Sequence, residues 1–307
     1  MIILETSRWW QLLDKVMKLA DISSRGGKVP PVYLYLVFIL PGLAYSIHVT
    51  GRIDFIPFAL ISIAIVPLVI ATNLYDDYFD FVNGYDREDS PNTQYRRHPI
   101  FYYKVSRRYL IGWAVFFSLV YIFMSFLISI RYGLELNVVS LIGLVLGYGY
   151  TGPPFGYKYF GLGEVGVFIS SIAASEFISL AAIGRFSLVS IPYFVPYALL
   201  ISLLLFIGNY RDIESDRKSG IRTLASLLGK ERSSMAPAVV FSMFYFTIAV
   251  LYFTGIYNTL SLIILVTSPF AYYFSSRWWG IEGNRFERYA GPFLFGIIIS
   301  LIILLLL

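Results

Sequence analysis

The chain has 307 residues, 57% of them hydrophobic and only 14% charged, with a mean hydropathy of +0.69. That is far more apolar material than one water-soluble core can bury, so a soluble domain is excluded and an all-α, polytopic membrane protein is expected. The net charge of +5 is ordinary for positively charged membrane loops and implies no nucleic-acid partner, while zero cysteines exclude disulfides, thiolate metal sites and a cysteine nucleophile.

Residues 1–30 read as a cytoplasmic N-terminal segment. Within it, 5–20 place Trp9, Leu12, Leu13, Val16 and Leu19 on one face of an amphipathic helix lying in the membrane interface. Apolar stretches of about 20 residues, enough to cross a bilayer, follow at 31–50, 55–78, 109–130, 134–151, 163–184, 190–210, 235–254, 258–276 and 289–307. Residues 31–307 are therefore expected to form a single domain of nine transmembrane helices. None of the stretches shows a short apolar core followed by a small-residue cleavage site, so no removable signal peptide is expected. Of the 24 Lys and Arg, 21 fall on one side of this alternation. The bias predicts a cytoplasmic N-terminus and a C-terminus outside.

The second and sixth spans end in the same pattern, N-x-x-D-x-x-x-D-x-x-x-G. It appears as Asn73, Asp76, Asp80 and Gly84 and again as Asn209, Asp212, Asp216 and Gly220, offset by 136 residues throughout. Carboxylates are costly at membrane depth and mark function by default. The repeat also suggests a bundle of two related halves around a central cavity. Each copy runs into a long, charged cytoplasmic segment, 81–108 and 211–232, expected to cap that cavity.

At 3.6 residues per turn Asn73, Asp77 and Asp80 share a helix face with Asp76 beside them, and Asp212 and Asp216 share another. Such carboxylates repel unless a cation neutralises them, and carboxylate and amide oxygens completed by substrate phosphate are what Mg²⁺ prefers. The repeat register favours Asp76 as a ligand and the shared face favours Asp77. Neither His48 nor His98 lies near enough in sequence to point to zinc. Two facing clusters form a diphosphate clamp, with Arg211, Arg217, Lys218 and Arg222 bordering the second motif, Arg87, Arg96 and Arg97 following the first, and Lys158 in the connection YTGPPFGYKYFG. Lipid headgroups are the competing partner for such basic residues, and the preferred one for Arg96, Arg107, Arg108, Lys230 and Arg232.

The segments NLYDDYFDFVNGYD and GNYRDIESDRKSGIRTLASLLG resemble the two Asp-rich signatures of the UbiA superfamily of intramembrane prenyltransferases. The second is similar to the menaquinone-pathway branch and its human homologue. YTGPPFGYKYFGLGEVGVF and RRHPI extend the likeness over 73–230. Asp76 stands where the family commonly has Asn, and Gly84 where many members have a further Asp.

The resemblance implies transfer of an isoprenyl group from an allylic diphosphate to a lipophilic acceptor, with two Mg²⁺ ions bridging the diphosphate and the motifs. Asn73, Asp76, Asp77, Asp80, Asn209, Asp212 and Asp216 would hold metal, and Lys158, Arg211, Arg217, Arg222 and Arg97 would hold diphosphate. Tyr75, Tyr150, Tyr157 and Tyr210 are the candidate rings for stabilising an allylic cation in a dry pocket, although tyrosine is also common at membrane interfaces. Glu164 is expected to orient Lys158 or accept the acceptor's proton, and Glu176 to be a paired structural acid. A quinone-type aromatic acid fits the R-D-x-E-x-D-R run best. A glycerol-phosphate ether lipid is the alternative acceptor. A cation- or proton-coupled transporter is the alternative class, but its carboxylates belong near the midplane.

Overall fold

The computed structural model describes residues 31–52, 54–90, 93, 97–186, 189–278 and 285–307. The N-terminal amphipathic segment and Arg96 lie outside the described residues. Eleven α-helices and two 3₁₀ segments make up the ordered elements, with no strand among the described residues. In chain order they are α1 (Pro31–Thr50), α2 (Phe55–Val82), α3 (Arg107–Tyr132), α4 (Leu136–Gly149), a 3₁₀ turn (Tyr157–Phe160), α5 (Gly163–Ile183), α6 (Ser190–Arg211), α7 (Ile213–Ser219), α8 (Leu224–Ser233), α9 (Ala236–Phe253), a 3₁₀ stretch (Thr259–Thr267), α10 (Ser268–Arg277) and α11 (Arg285–Leu306).

Helical structure occupies all nine stretches that the sequence marks as spans. Six are long and apolar enough to cross a membrane: α2, α3, α5, α6, α9 and the continuous stretch Thr259–Arg277. Shorter apolar helices lie at Phe38–Thr50, Leu136–Gly149 and Gly291–Leu306. Two boundaries differ from expectation. α2 runs on to Val82, so the whole first motif through Asp80 is helical. The eighth stretch begins as 3₁₀ and becomes α-helical only at Ser268, where Pro269, having no N–H to donate, takes the first turn of α10.

The helices pack around two larger cores and a smaller one, in which Ala71, Leu74 and Tyr75 of α2 meet Leu110 and Ala114 of α3. In one larger core, Ile61, Ala64 and Ile65 of α2 meet Tyr121 and Ile128 of α3 and Phe177, Ile178 and Ala181 of α5. In the other, α6 supplies Tyr193, Tyr197, Leu200, Leu203 and Phe206 against Phe241, Phe244 and Ile248 of α9 and Leu294, Ile298 and Leu301 of α11. α5 and α6 are the enclosed pair, with 50% and 61% of their apolar stretches buried against 28% for α2, α3 and α9, which leave Leu119, Phe123 and Phe246 outward. Both motif-bearing helices thereby meet the interior through α5, which packs on α2, α4 and α6.

α1 and α5 approach at backbone distance. A Cβ placed on Gly42 would lie 2.2 Å from the Ser175 carbonyl oxygen, and the Ser175 hydroxyl donates to the Phe38 carbonyl at 3.0 Å. Small residues allow such crossings in membranes. Gly42→Ala is expected to destabilise the protein by about 1–3 kcal/mol through overpacking, read as a lowered thermal midpoint in detergent; an unchanged midpoint would contradict this contact.

Candidate active site

The repeated motif has a local structural reason. In the first copy the Tyr85 N–H donates to the Asp80 carbonyl at 2.8 Å and the Gly84 N–H to that of Phe81; in the second the Ile221 N–H donates to the Asp216 carbonyl at 2.9 Å and the Gly220 N–H to that of Arg217. Both are Schellman caps closed by a left-handed glycine, Gly84 at φ +75° and Gly220 at φ +79°. The D-x-x-x-G spacing therefore fixes an aspartate in the last turn before each helix stops. The copies differ upstream, for α2 passes unbroken through Asn73, Asp76 and Asp80, whereas the second copy bends at Asp212, between α6 and α7.

At the first motif, Asp76 and Asp80 are buried and share one cation. The Lys158 Nζ donates to Asp76 Oδ1 at 2.7 Å and to Asp80 Oδ2 at 2.6 Å. Tyr159 donates its hydroxyl to the other Asp80 oxygen at 2.8 Å, and the Tyr150 and Tyr159 rings flank the ammonium at 5.5 and 6.0 Å. Burial alone would lower the Lys158 pKa, but the two carboxylates hold it well above the ordinary lysine value. Lys158 is presented by the 3₁₀ turn Tyr157–Phe160, whose ends are the left-handed Gly156 and Gly161, and its backbone N–H donates to the Tyr150 carbonyl at 2.9 Å.

At the second motif, Arg211 grips Asp212 with two hydrogen bonds, Nε to Oδ1 at 2.8 Å and Nη2 to Oδ2 at 2.5 Å. Asp216 is buried and accepts the Thr223 hydroxyl at 2.9 Å. Burial pushes the Asp216 carboxyl up to about 6; the Thr223 bond and the charge of Lys158 pull it back. Asn209 donates to Glu164 Oε1 at 2.9 Å, so Glu164 orients the motif asparagine rather than Lys158. Glu176 accepts the Ser190 hydroxyl at 2.5 Å, deep between α5 and α6.

Asp77 turns to a different group. Its carboxylate lies with those of Asp86 and the His98 ring, all buried, with one candidate ligand atom from each within 4.8 Å of the others. The backbone N–H of Ile100 donates to His98 Nδ1 at 3.2 Å, so the ring carries its single proton on Nε2 and donates it to Asp86 Oδ2 at 3.1 Å. With Nδ1 an acceptor and Nε2 a donor, His98 fastens the segment after the first motif. Sequence distance hid this contact, because His98 lies twelve residues beyond Asp86, outside the i, i+4 spacing that helix geometry makes readable.

Of the four predicted rings, Tyr150 flanks the shared cation. Tyr157 packs on Tyr150 at 5.5 Å and donates to the Leu146 carbonyl at 2.7 Å. Tyr75 bonds Ser118 on α3, and Tyr210 packs 4.1 Å from Trp278. Tyr159 was the ring that sequence reasoning missed. A cavity of about 350 Å³ opens between the two post-motif segments, lined by the cations Arg87, Arg211 and Lys218, the carboxylates Asp89, Asp212 and Glu214, and three serines. Its lining does not include Arg97, Arg217 or Arg222: Arg97 and Arg222 are exposed, and Arg217 donates to the Ser226 carbonyl at 3.1 Å, bracing α8. Asn73 lies half-buried one turn before Asp76. The carboxylates of Asp76 and Asp80, which already share one cation, and those of Asp212 and Asp216 at the second helix end are hard oxygen donors of the kind that suits Mg²⁺.

The sequence profile of the UbiA prenyltransferase family matches residues 35–298. The chain is 27% identical over 222 residues to the 1,4-dihydroxy-2-naphthoate octaprenyltransferase of Bacillus subtilis (strain 168), covering 71% of this chain and 70% of that one. It is 29% identical over 204 residues to UbiA prenyltransferase domain-containing protein 1 of Xenopus tropicalis, covering 65% of this chain and 57% of the relative. The human counterpart is 30% identical over 241 residues, covering 75% and 66%. In structure the chain is similar to a UbiA homolog from Archaeoglobus fulgidus bound to GPP and Mg²⁺, with a TM-score of 0.67 at 14% identity over 94% of this chain and 99% of that one. It is also similar to a digeranylgeranylglyceryl phosphate synthase, with a TM-score of 0.65 at 15% identity over 95% and 98%. Both likenesses are of fold.

His98→Ala removes the ring donor from a buried carboxylate and is expected to cost about 1–3 kcal/mol of stability; His98→Gln keeps an N–H donor and should recover part of it. Thermal unfolding in detergent measures both, and an alanine variant that melts with the parent protein would count against the Asp86 contact.

Proposed function

The chain belongs to the UbiA prenyltransferase family, and on that premise we propose that it transfers an isoprenyl group from an allylic polyprenyl diphosphate to a lipophilic aromatic acceptor, a quinone precursor, with Mg²⁺. The observation that carries this reading is the buried Asp76 and Asp80 pair held on the Lys158 ammonium, with the second Asp-rich helix end bordering a cavity that Arg87, Arg211 and Lys218 help to line. The aromatic acceptor is supported by the Bacillus subtilis relative and by the R-D-x-E-x-D-R run of Arg211, Asp212, Glu214, Asp216 and Arg217.

The diphosphate lies in the cavity between the post-motif segments, held by Arg211 with Arg87 and Lys218 added to the expected set. Asp76, Asp80, Asp212 and Asp216 hold two metal ions, with the side-chain oxygens of Asn73 and Asn209 in support. When bound, Mg²⁺ neutralises charge on the leaving diphosphate as a Lewis acid. The allylic C–O bond breaks and its electron pair leaves with the diphosphate, whose charge Lys158 and Arg211 share. The Tyr150 and Tyr159 rings face the developing allylic cation. A new bond to the acceptor carbon forms, and the proton on that carbon passes to the released diphosphate or to water. The wider architecture belongs to the same proposal: residues 31–307 as one domain of nine spans in two related halves, caps at 81–108 and 211–232, the N-terminus and the site opening on the cytoplasmic side.

The test is incubation of purified protein with geranylgeranyl diphosphate, Mg²⁺ and either 1,4-dihydroxy-2-naphthoate or geranylgeranylglyceryl phosphate. A prenylated naphthoate is expected. Asp80→Asn and Asp216→Asn should each lower kcat by roughly 10²-fold or more, the scale of losing a key electrostatic contact in a transition state. Product with the glycerol phosphate alone would overturn the acceptor, and full activity in both variants would overturn the site.

A further inference from the structure

The two motifs are neutralised in different ways. Asp212 is held by its exposed-edge neighbour Arg211 and Asp216 by a hydroxyl, whereas Asp76 and Asp80 share an ammonium whose side chain is only 12% exposed. That ammonium occupies the lone pairs a metal would need, one oxygen from each carboxylate at 2.7 and 2.6 Å, while Tyr159 holds the remaining Asp80 oxygen. A divalent ion added beside a buried ammonium meets strong repulsion in a low-dielectric site. Withdrawing the ammonium with nothing in its place would leave buried carboxylates unpaired, which is more costly still. The two cations therefore exclude one another.

We propose that Lys158 is a built-in counter-ion holding the metal's place at the first motif, so that a divalent ion enters between Asp76 and Asp80 only as an arriving diphosphate draws the ammonium away. Lys158 is fixed at its backbone by the Tyr150 carbonyl but carries four rotatable side-chain bonds, so the ammonium can move to a diphosphate while its turn stays in place. Metal uptake and substrate arrival at this half become one event. Without diphosphate, metal is confined to the second motif, where the Arg211 side chain is 25% exposed and can turn to water and free Asp212 for the ion. The inference rests on the reading of these carboxylates as metal ligands, and its readout is metal binding without turnover.

Mn²⁺ titrated into detergent-purified full-length protein without any diphosphate, followed by the electron paramagnetic resonance signal of the free ion, should show one bound ion per chain. Lys158→Met should bind a second, or bind the ion at least tenfold more tightly, and Lys158→Arg should behave as the parent. Adding Asp80→Asn to Lys158→Met should abolish the gain. Two ions bound by the unsubstituted protein would overturn the proposal whether or not the variants fold, as would identical titrations of the parent and Lys158→Met. Absence of prenyl transfer alongside the expected titrations would overturn the proposed activity and leave this inference standing.

Discussion

A carboxylate buried in the last turn of a helix is disfavoured twice. It has left water, and it faces the negative end of the helix macrodipole, where cations rather than anions are stabilised. Asp80 in α2 and Asp216 in α7 both stand in that position, and each is 5% exposed or less. Much of the site follows from supplying them with positive charge or hydrogen bonds. Lys158 is delivered to the first by a 3₁₀ turn with a glycine at each end, and Thr223 reaches the second while also capping α8. The connections after α4 and after α7 are thus shaped by what the two aspartates require.

The glycine caps explain why the two copies keep the same spacing although their helices differ. A Schellman cap needs a residue that tolerates positive φ, and Gly84 and Gly220 meet that need in open space, with nothing within 4 Å of where a Cβ would stand. What each glycine secures is the end of the helix, and hence the depth at which the aspartate four residues earlier sits. α2 reaches that depth as one unbroken helix of 28 residues, while the second copy adds the separate seven-residue α7. The shared feature is the terminus and not the helix leading to it.

Legibility from sequence followed the range of the interactions. The spans were readable because burial in lipid is written in composition, and the motifs because helical spacing places i and i+4 side chains together. Asp76 and Asp77 could not be separated that way, since adjacent residues differ by only 100° around the helix. A lysine 82 positions away from Asp76 picks out Asp76, and a turn carrying His98 takes Asp77. The tyrosines show the same limit. Tyr75 and Tyr210 border the motifs in sequence but point toward α3 and Trp278, whereas Tyr159 joins the site because it neighbours Lys158. Among the arginines, Arg217 belongs to the very run that resembles the family, yet it braces α8, and Arg87 of the other segment lines the cavity.

The same geometry explains why the polar chemistry sits at one end of an apolar bundle. A diphosphate cannot be taken far into hydrocarbon, whereas an isoprenyl chain has no reason to leave it, so a site serving both must lie where the spans end. Placing the aspartates at helix termini puts them at that boundary, beside helix ends and a connecting segment that carry Arg211, Lys218 and Arg87. Farther along the spans the charged residues are few and paired: Glu176 with Ser190, for example, contributes a hydrogen bond between α5 and α6. A transporter of ions would need its charge at the middle of the path. Here the end of α6 away from the motif is filled by Tyr193, Phe194, Tyr197 and their apolar neighbours, packed with less than 2% exposure, so the polar chemistry of that helix is confined to its other terminus.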